Sequence, residues 1–180
     1  ERGHLTRSVS QTLLDNRADI GVHSWKDIPT RYEEKTEVVG TLERADMRDL
    51  ILFRKESISA IKGAPNVISV LSSSTRRSTN LSEFFQIALP FEVSQVRFKP
   101  IYGNIETRLR KLISGEGDAL VVAKAAIDRL LESSDAKLSE IRSFVRQALS
   151  ELKFIVVPLS VSPPAAAQGA IAIEARKEDQ

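Results

Sequence analysis

Residues 67–77, VISVLSSSTRR, join a short apolar run to a cluster of hydroxyls and two arginines. The run Val67–Leu71 is rich in β-branched residues and has the length of a buried strand. The polar residues after it, and the helical spacing of Phe84, Phe85 and Leu89, predict a turn followed by a helix. A strand that leads through a polar turn into a helix is the repeating unit of α/β proteins.

Strand and helix patterns alternate along the rest of the chain, with short polar connections between them. This alternation predicts the α/β class with a mostly parallel sheet. Further strands are predicted at residues 19–24, 37–43, 50–53, 93–101, 119–122, 154–159 and 170–174, and further helices at residues 5–16, 105–114, 125–131 and 138–152.

Polar clusters follow three of the predicted strands, at residues 23–27, 72–77 and 102–108. In open α/β sheets, ligands bind outside the carboxyl ends of the strands. The three clusters therefore predict one binding site at that edge.

The cluster at residues 72–77 combines hydroxyls with Arg76 and Arg77 at a helix start. The free N–H groups and partial positive charge of a helix start suit an anion, and guanidiniums bind carboxylates bidentately. Adjacent helical residues point about 100° apart, so we expect the two arginines to reach different groups. The alternative is an N-cap serine followed by surface arginines.

The second helix start, at Gly103 and Asn104, has a residue that permits close backbone approach and a favoured N-cap. Arg108 lies in the first turns, where the helix dipole disfavours a cation. Such a position favours a compensating anionic ligand, and the alternative is a pair between Arg108 and Glu106 or another acid.

Residues 23–29, HSWKDIP, bring Lys26 and Asp27 together at a strand end, where they could serve acid–base chemistry or charge stabilisation. The alternatives are a loop salt bridge between these two residues and a structural role for His23. A serine hydrolase is excluded because no G-x-S-x-G elbow is present. Arg129 by itself indicates only a helix residue that faces solvent or pairs with a residue four positions away.

Composition restricts the function further. The 180 residues include no cysteine, which excludes disulfides, thiolate metal sites and cysteine nucleophiles within the chain and fits a reducing compartment. His4 and His23 are the only imidazoles, which argues against zinc. A net charge of +2 is too small for a dedicated nucleic-acid binder, and no apolar run approaches the ~20 residues of a membrane span.

Five motifs occur in a fixed order: ADIGVHSWKDIPT (18–30), DMRD (46–49), SSTRR (73–77), GNIETRL (103–109) and PAAAQGA (164–170). Together they resemble the porphobilinogen deaminase family, also called hydroxymethylbilane synthases, over nearly the whole chain. That family joins four porphobilinogen units head to tail with release of ammonia, giving hydroxymethylbilane for heme and chlorophyll biosynthesis.

The resemblance implies a role for each matched residue. Asp27 would be the catalytic carboxylate that stabilises a cationic, azafulvene-like species, with Lys26 as its neighbour in the active site. The remaining matches would bind the carboxylates of the substrate, of the growing chain and of the dipyrromethane cofactor: Arg76, Arg77, Arg108, Arg129, Ser73, Ser74 and Arg2.

The resemblance also implies two periplasmic-binding-protein-like domains with mostly parallel mixed sheets, flanked by helices, and an active-site cleft between them. Domain 1 would comprise residues 1–43 plus 165–180, and domain 2 residues 48–160. Hinge crossings are expected at about 44–47 and 161–164. A third domain, which carries the cofactor-attaching cysteine in the family, would lie outside these residues.

Several expectations follow from the resemblance. The chain would be a piece of a longer monomeric enzyme of the cytoplasm or a plastid, and inactive by itself. Tyr102 replaces a family arginine, and Lys124 adds a charge without an assigned role. The rival functions are a non-catalytic bilobal module that binds anions or carboxylates, and a nucleic-acid or phosphoprotein reader built on the arginines.

Overall fold

The computed structural model describes residues 4–29, 34–61 and 66–179, and the chain divides into two compact units. Unit 1 comprises Glu1–Met47 and Ala165–Gln180, and unit 2 comprises Arg48–Pro164. Unit 2 is thus one continuous run, whereas unit 1 is assembled from both ends of the chain.

Eight strands and six α-helices make up the described residues. The strands are β1 (Ile20–Ser24), β2 (Thr36–Thr41), β3 (Asp49–Arg54), β4 (Val67–Leu71), β5 (Gln95–Lys99), β6 (Ala119–Ala123), β7 (Leu152–Val156) and β8 (Ile171–Arg176). The helices are α1 (His4–Leu14), α2 (Lys55–Ile61), α3 (Thr75–Ala88), α4 (Ile105–Ile113), α5 (Lys124–Glu132) and α6 (Ser139–Glu151), with short 3-10 turns at Trp25–Asp27, Ala136–Leu138 and Lys177–Asp179.

The sheet of unit 1 has the order β1-β8-β2, and both of its ladders are antiparallel. The expected mostly parallel arrangement is therefore not found in this sheet. The chain leaves unit 1 beyond the carboxyl end of β2 and returns at the same edge, where Thr41 is the ladder partner of Ala172. A strand that begins where its neighbour ends must run in the opposite direction.

The sheet of unit 2 has the order β5-β4-β6-β3-β7. Strand β4 is parallel to β5 and β6, while β3 is antiparallel to β6 and β7. Strand β3 is antiparallel to β6 for the same reason as in unit 1. The chain enters unit 2 at the edge of the sheet where β6 ends, and Asp49, the first residue of β3, pairs there with Ala123, the last residue of β6. This sheet is mixed, which confirms the α/β class with mixed sheets flanked by helices.

The core of unit 2 covers both faces of its sheet. Successive strand residues point to opposite faces, so Leu50 and Leu52 of β3 join one apolar cluster while Ile51 and Phe53 join the other. The first cluster packs with α4, α5 and α6, and the second includes Leu81 and Phe85 of α3. Burial on both faces explains why this strand is a continuous apolar run.

No helix among the described residues is both long and apolar enough to cross a membrane.

Candidate functional site

In unit 1, the predicted catalytic residues lie on the 3-10 turn Trp25–Asp27, directly after β1. Trp25 N donates to Ala170 O at 3.1 Å, which ties the turn to the segment leading into β8. Lys26 is exposed and Asp27 is half-buried. Within the described part of the chain, the Asp27 carboxylate has no hydrogen bond and no ion pair, so the alternative Lys26–Asp27 salt bridge is not formed.

His23, just before this turn, pairs with a buried carboxylate that the sequence reasoning missed. Its Nε2 lies 2.7 Å from Glu174 Oε2, and Thr36 Oγ1 donates to Glu174 Oε1 at 2.6 Å. The signal was present in the strand pattern, because alternation places Glu174 on the same sheet face as the fully buried Ala172. The contacts of His23 are those of the structural alternative.

A cavity of about 260 Å³ lies beside the turn in unit 1. Arg44 lies in its wall, with Nε donating to Gln168 O at 3.1 Å. Trp25, the first residue of the turn that carries Lys26 and Asp27, is one of the residues that line this cavity. Its lining residues are Trp25, Thr41, Leu42, Arg44, Ala167 and Ala170.

In unit 2, Arg76 and Arg77 at the start of α3 both bind Asp49, the first residue of β3. Arg76 Nη2 lies 2.8 Å from Asp49 Oδ2, and Arg77 Nη2 lies 2.8 Å from Asp49 Oδ1. The Asp49 side chain is fully buried, so this is not a surface contact. The two arginines thus reach the same carboxylate, through one oxygen each, and neither is a simple surface arginine.

The side chains of Arg76 and Arg77 differ in how much of each is exposed to solvent. Arg77 also donates from Nη1 to Val121 O at 3.3 Å, and only 10% of its side chain is exposed. Arg76 donates from Nη1 to Ser162 Oγ and Pro163 O, and 25% of its side chain is exposed. Of the pair, Arg76 is therefore the one that a ligand can approach more readily.

The predicted hydroxyls are used within unit 2. Ser73 Oγ donates to Ile101 O at 2.6 Å and accepts from Ile101 N at 2.7 Å, which ties the loop after β4 to the end of β5. Ser74 is the N-cap of α3 and accepts from Arg77 N at 3.4 Å. These hydrogen bonds hold the loop in place, and they leave fewer hydroxyl and N–H donors available to an anion.

The second helix start is capped by its own asparagine, because Asn104 Oδ1 accepts from Thr107 N at 2.8 Å. Arg108 Nε donates to Gly103 O at 2.8 Å, and the side chain is half-exposed. The expected alternative partner, Glu106, binds Arg110 instead. Arg108 is thus held over the turn by a backbone carbonyl.

The remaining predicted cations differ in their surroundings. Arg129 on α5 is exposed, and its guanidinium has no hydrogen bond or ion pair with any residue of the described ranges. Lys124, which had no assigned role, binds Asp128 at 2.6 Å. Arg2 lies outside the described residues.

The donor chemistry of unit 2 suits a ligand with several carboxylates. Arg76 and Arg108 lie at starts of helices that follow β4 and β5, and Arg129 adds a guanidinium without a partner among the described residues. Guanidiniums bind carboxylates through charge-assisted and often bidentate hydrogen bonds. Among the described residues, no three His, Cys, Asp or Glu side chains form a cluster that could hold a metal ion.

Solved structures with a similar trace include two proteins of low sequence identity. One is a periplasmic sulfonate-binding protein from Methylobacillus flagellatus, 13% identical, covering 97% of this chain and 47% of that chain at a TM-score of 0.49. The other is an ABC transporter protein from Parabacteroides distasonis, 7% identical, covering 97% and 54% at 0.49.

Proteins found by sequence comparison have higher sequence identity to this chain than these two structures have. The family model described as "Porphobilinogen deaminase, dipyromethane cofactor binding domain" matches residues 1–180. A porphobilinogen deaminase from Streptococcus sanguinis is 31% identical over 99% of this chain, and a probable one from Sulfurisphaera tokodaii is 30% identical over 99%. The chain spans about half the length of each, 51%. With all of its residues matched by that model, the chain belongs to the porphobilinogen deaminase family, a family of transferases in tetrapyrrole biosynthesis.

Proposed function

We propose that the natural polypeptide carrying this sequence is a hydroxymethylbilane synthase. It condenses four porphobilinogen molecules into linear hydroxymethylbilane with release of ammonia, as a monomer in the cytoplasm or a plastid. Family membership supports the reaction class, and the partnerless, half-buried carboxylate of Asp27 carries the proposal within the described residues.

Each condensation balances without an oxidant or a metal. The protonated aminomethyl group of porphobilinogen loses ammonia, and the electron pair of the C–N bond leaves on the nitrogen. A cation remains, shared between the methylene carbon and the pyrrole ring. The α-carbon of the preceding ring attacks this carbon, forms the new C–C bond and then loses its proton. At the last step the bond between the methylene carbon of the first ring and the pyrrole to which it is attached would break, and that pyrrole would take up a proton. Water would add to the methylene carbon and lose a proton, giving the terminal hydroxymethyl group.

In this reaction Asp27 supplies a fixed negative charge. A preorganised anion beside a developing cation lowers the barrier because it does not have to reorient during the reaction. The ladder of β1 with β8 and the Trp25 N–Ala170 O bond hold the turn, while the carboxylate itself is left without a partner among the described residues. Lys26, exposed on the same turn, is proposed as its active-site neighbour.

The pyrrole rings carry acetate and propionate groups, so the substrate chain becomes more negative with each addition. We propose that Arg76, Arg108 and Arg129 hold these carboxylates directly. The more enclosed Arg77 would support Arg76 through their shared contact with Asp49. Ser73, Ser74 and Arg2 complete the proposed set.

The family model that matches the chain is that of the dipyromethane cofactor binding domain. The guanidinium set of unit 2 fits the carboxylates of such a group, and attachment through cysteine needs a residue outside these 180, which contain none. When bound, dipyrromethane supplies the pyrrole to which the first substrate is joined.

The test is ammonia release from porphobilinogen by the natural polypeptide. We expect sustained release with formation of hydroxymethylbilane, whereas the 180-residue chain by itself should be inactive. A purified, folded natural polypeptide that releases no ammonia after reconstitution with dipyrromethane contradicts the proposal.

The alternative, a non-catalytic bilobal module for carboxylates, loses support at the helix starts. Side chains of Ser74 and Asn104 already accept from Arg77 N and Thr107 N, so these N–H groups are not free for an anion. The alternative predicts carboxylate binding that is unchanged by Asp27→Asn, and no turnover in the unsubstituted protein.

A further inference from the structure

A buried carboxylate joins every described helix and strand of unit 1. Glu174 on β8 lies 2.7 Å from His23 Nε2 of β1 and accepts from Thr36 Oγ1 of β2 at 2.6 Å. Ser10 Oγ of α1 donates to both of its oxygens, at 3.0 and 2.9 Å. Only 3% of the Glu174 side chain is exposed.

The contacts define the role of each group. A buried carboxylate is costly unless hydrogen bonds replace its water. Both oxygens of Glu174 are occupied by hydroxyl donors, so Glu174 is the acceptor and Nε2 of His23 carries a hydrogen toward it. This bond fixes the orientation of the His23 ring, of which only 3% is exposed.

His23 is the link between this carboxylate and the turn of Lys26 and Asp27. It lies two residues before Trp25, the first residue of the turn. The segment 170–174 therefore holds the end of β1 at two places, through the His23–Glu174 side chains and through the Trp25 N–Ala170 O bond. Nothing in the proposed chemistry of Asp27 uses Glu174 directly.

We propose that Glu174 is a positioning residue for the Asp27 carboxylate and acts through His23. The inference rests on the proposed function for its catalytic consequence, but its structural part does not. Burial keeps Glu174 from touching a substrate, so its effect is exerted on where β1 ends and how the turn is held. Misplacing a reacting group by about 1 Å can cost about 100-fold in rate.

Trp25 gives a direct readout of the turn because it is the single tryptophan of the chain. In this 180-residue chain, Glu174→Gln and His23→Gln should each raise the acrylamide quenching of Trp25 and shift its emission maximum. Thr36→Ser keeps the hydroxyl donor to Glu174, so it should cause neither change and should resemble the unsubstituted chain.

Asp118→Asn is the matched control. Asp118 is a half-buried carboxylate of unit 2 that accepts from Ser69 N and Ser69 Oγ, both at 2.8 Å, and precedes β6 at the amino end of the strand. It should lower stability without moving the Trp25 signal. If Glu174→Gln does not fold, His23→Gln alone decides the outcome.

Kinetics in the natural polypeptide test the catalytic part. Glu174→Gln should lower kcat about 10- to 100-fold with KM unchanged, while Asp118→Asn keeps the unsubstituted kcat. The pair Glu174→Gln and His23→Gln should be non-additive, because both variants break the same bond.

The outcomes are separable. An unchanged Trp25 signal in both folded variants overturns the positioning role, whatever the activity. A changed signal with unchanged kcat overturns its catalytic consequence. An unsubstituted protein that releases no ammonia contradicts the proposed function. In that case the Trp25 measurement alone tests whether Glu174 positions the turn.

Discussion

At the scale of residues, one buried carboxylate determines how two arginines of unit 2 are used. Asp49 receives Arg76 on one oxygen and Arg77 on the other, across 27 and 28 residues of sequence. Ser162 Oγ also lies 3.3 Å from Asp49 Oδ2. Removing the carboxylate would leave both guanidiniums without an ion-pair partner among the described residues.

We predict that Asp49→Asn lowers the free energy of unfolding by about 3–5 kcal/mol, because breaking a buried ion pair strands its partner charges. Urea unfolding of the 180-residue chain measures the effect. Asp128→Asn, which breaks the partly exposed pair with Lys124, is the control and should cost no more than about 1 kcal/mol. Equal effects of the two variants would contradict the structural role of Asp49.

Asp118 gives stability a pH dependence. Burial alone would raise the pKa of this carboxyl, but hydrogen bonds from Ser69 N, Ser69 Oγ and the Ser57 hydroxyl, with the charge of Arg54, lower the pKa overall. The unfolded chain therefore takes up the proton at a higher pH than the folded chain does. The stabilisation is complete above the unfolded pKa of about 3.9 and is lost as the pH falls toward the folded pKa.

We predict that Asp118→Asn is less stable than the unsubstituted chain at about pH 6, and that this gap narrows at about pH 3. Urea unfolding at both pH values tests this. A gap that stays constant, or widens in acid, would show that the Asp118 pKa is not lowered by folding.

At the scale of elements, the starts of α3 and α4 could be predicted from sequence because capping is local. Ser74 and Asn104 each accept from the backbone N–H three residues on, as the N-cap preference implies. Gly103 precedes the second cap with φ of 111°, a conformation that L side chains rarely adopt.

We predict that Gly103→Ala lowers the free energy of unfolding by about 1–3 kcal/mol, because of this backbone conformation and because a Cβ would lie 2.8 Å from Thr107 Cγ2. Gly40→Ala is the control, since among the described residues the nearest atom to its Cβ would be Ile173 Cδ1, at an ordinary 3.8 Å. Chemical denaturation of both variants measures the difference, and an equal effect would argue against strain at Gly103.

The positions of the helices and strands along the sequence could be predicted better than the directions in which neighbouring strands run in each sheet. Val67–Leu71 was predicted with the bounds it has, because a short β-branched run between polar turns is a local signal. The antiparallel directions of β3 and β8 could not, since they depend on where the chain enters each unit. Helix α2 was missed because its seven residues carry too few apolar positions to show a period.

In the candidate site, too, local features could be predicted from the sequence, whereas contacts between distant residues could not. Asp27 and the helix-start arginines stand out in sequence by their place after strands. Their partners do not, because Asp49 lies 27 residues from Arg76 and Glu174 lies 151 residues from His23. Contacts at such separations are set by packing of the whole unit rather than by local pattern.

At the scale of the whole molecule, the chain forms two units, of which unit 2 is a single run with apolar clusters on both faces of its sheet. The Asp49 ion pairs also lie entirely within it. A unit with its own hydrophobic core is of the kind that can fold alone.

We predict that residues 48–164 expressed alone unfold cooperatively in urea, with the circular dichroism of a mixed α/β protein. A broad, non-cooperative transition would show that unit 2 depends on the rest of the chain. The discontinuous unit 1 offers no such continuous segment.

The central claim concerns Asp27, and its most direct test is the kcat of Asp27→Asn for ammonia release from porphobilinogen by the natural polypeptide. We predict a loss of about 10²–10⁴-fold, with the melting temperature and circular dichroism of the unsubstituted protein, since only the charge is removed. Asp15→Asn, an exposed carboxylate just after α1, is the matched control and should keep full activity. A folded Asp27→Asn protein with unchanged kcat would contradict the account.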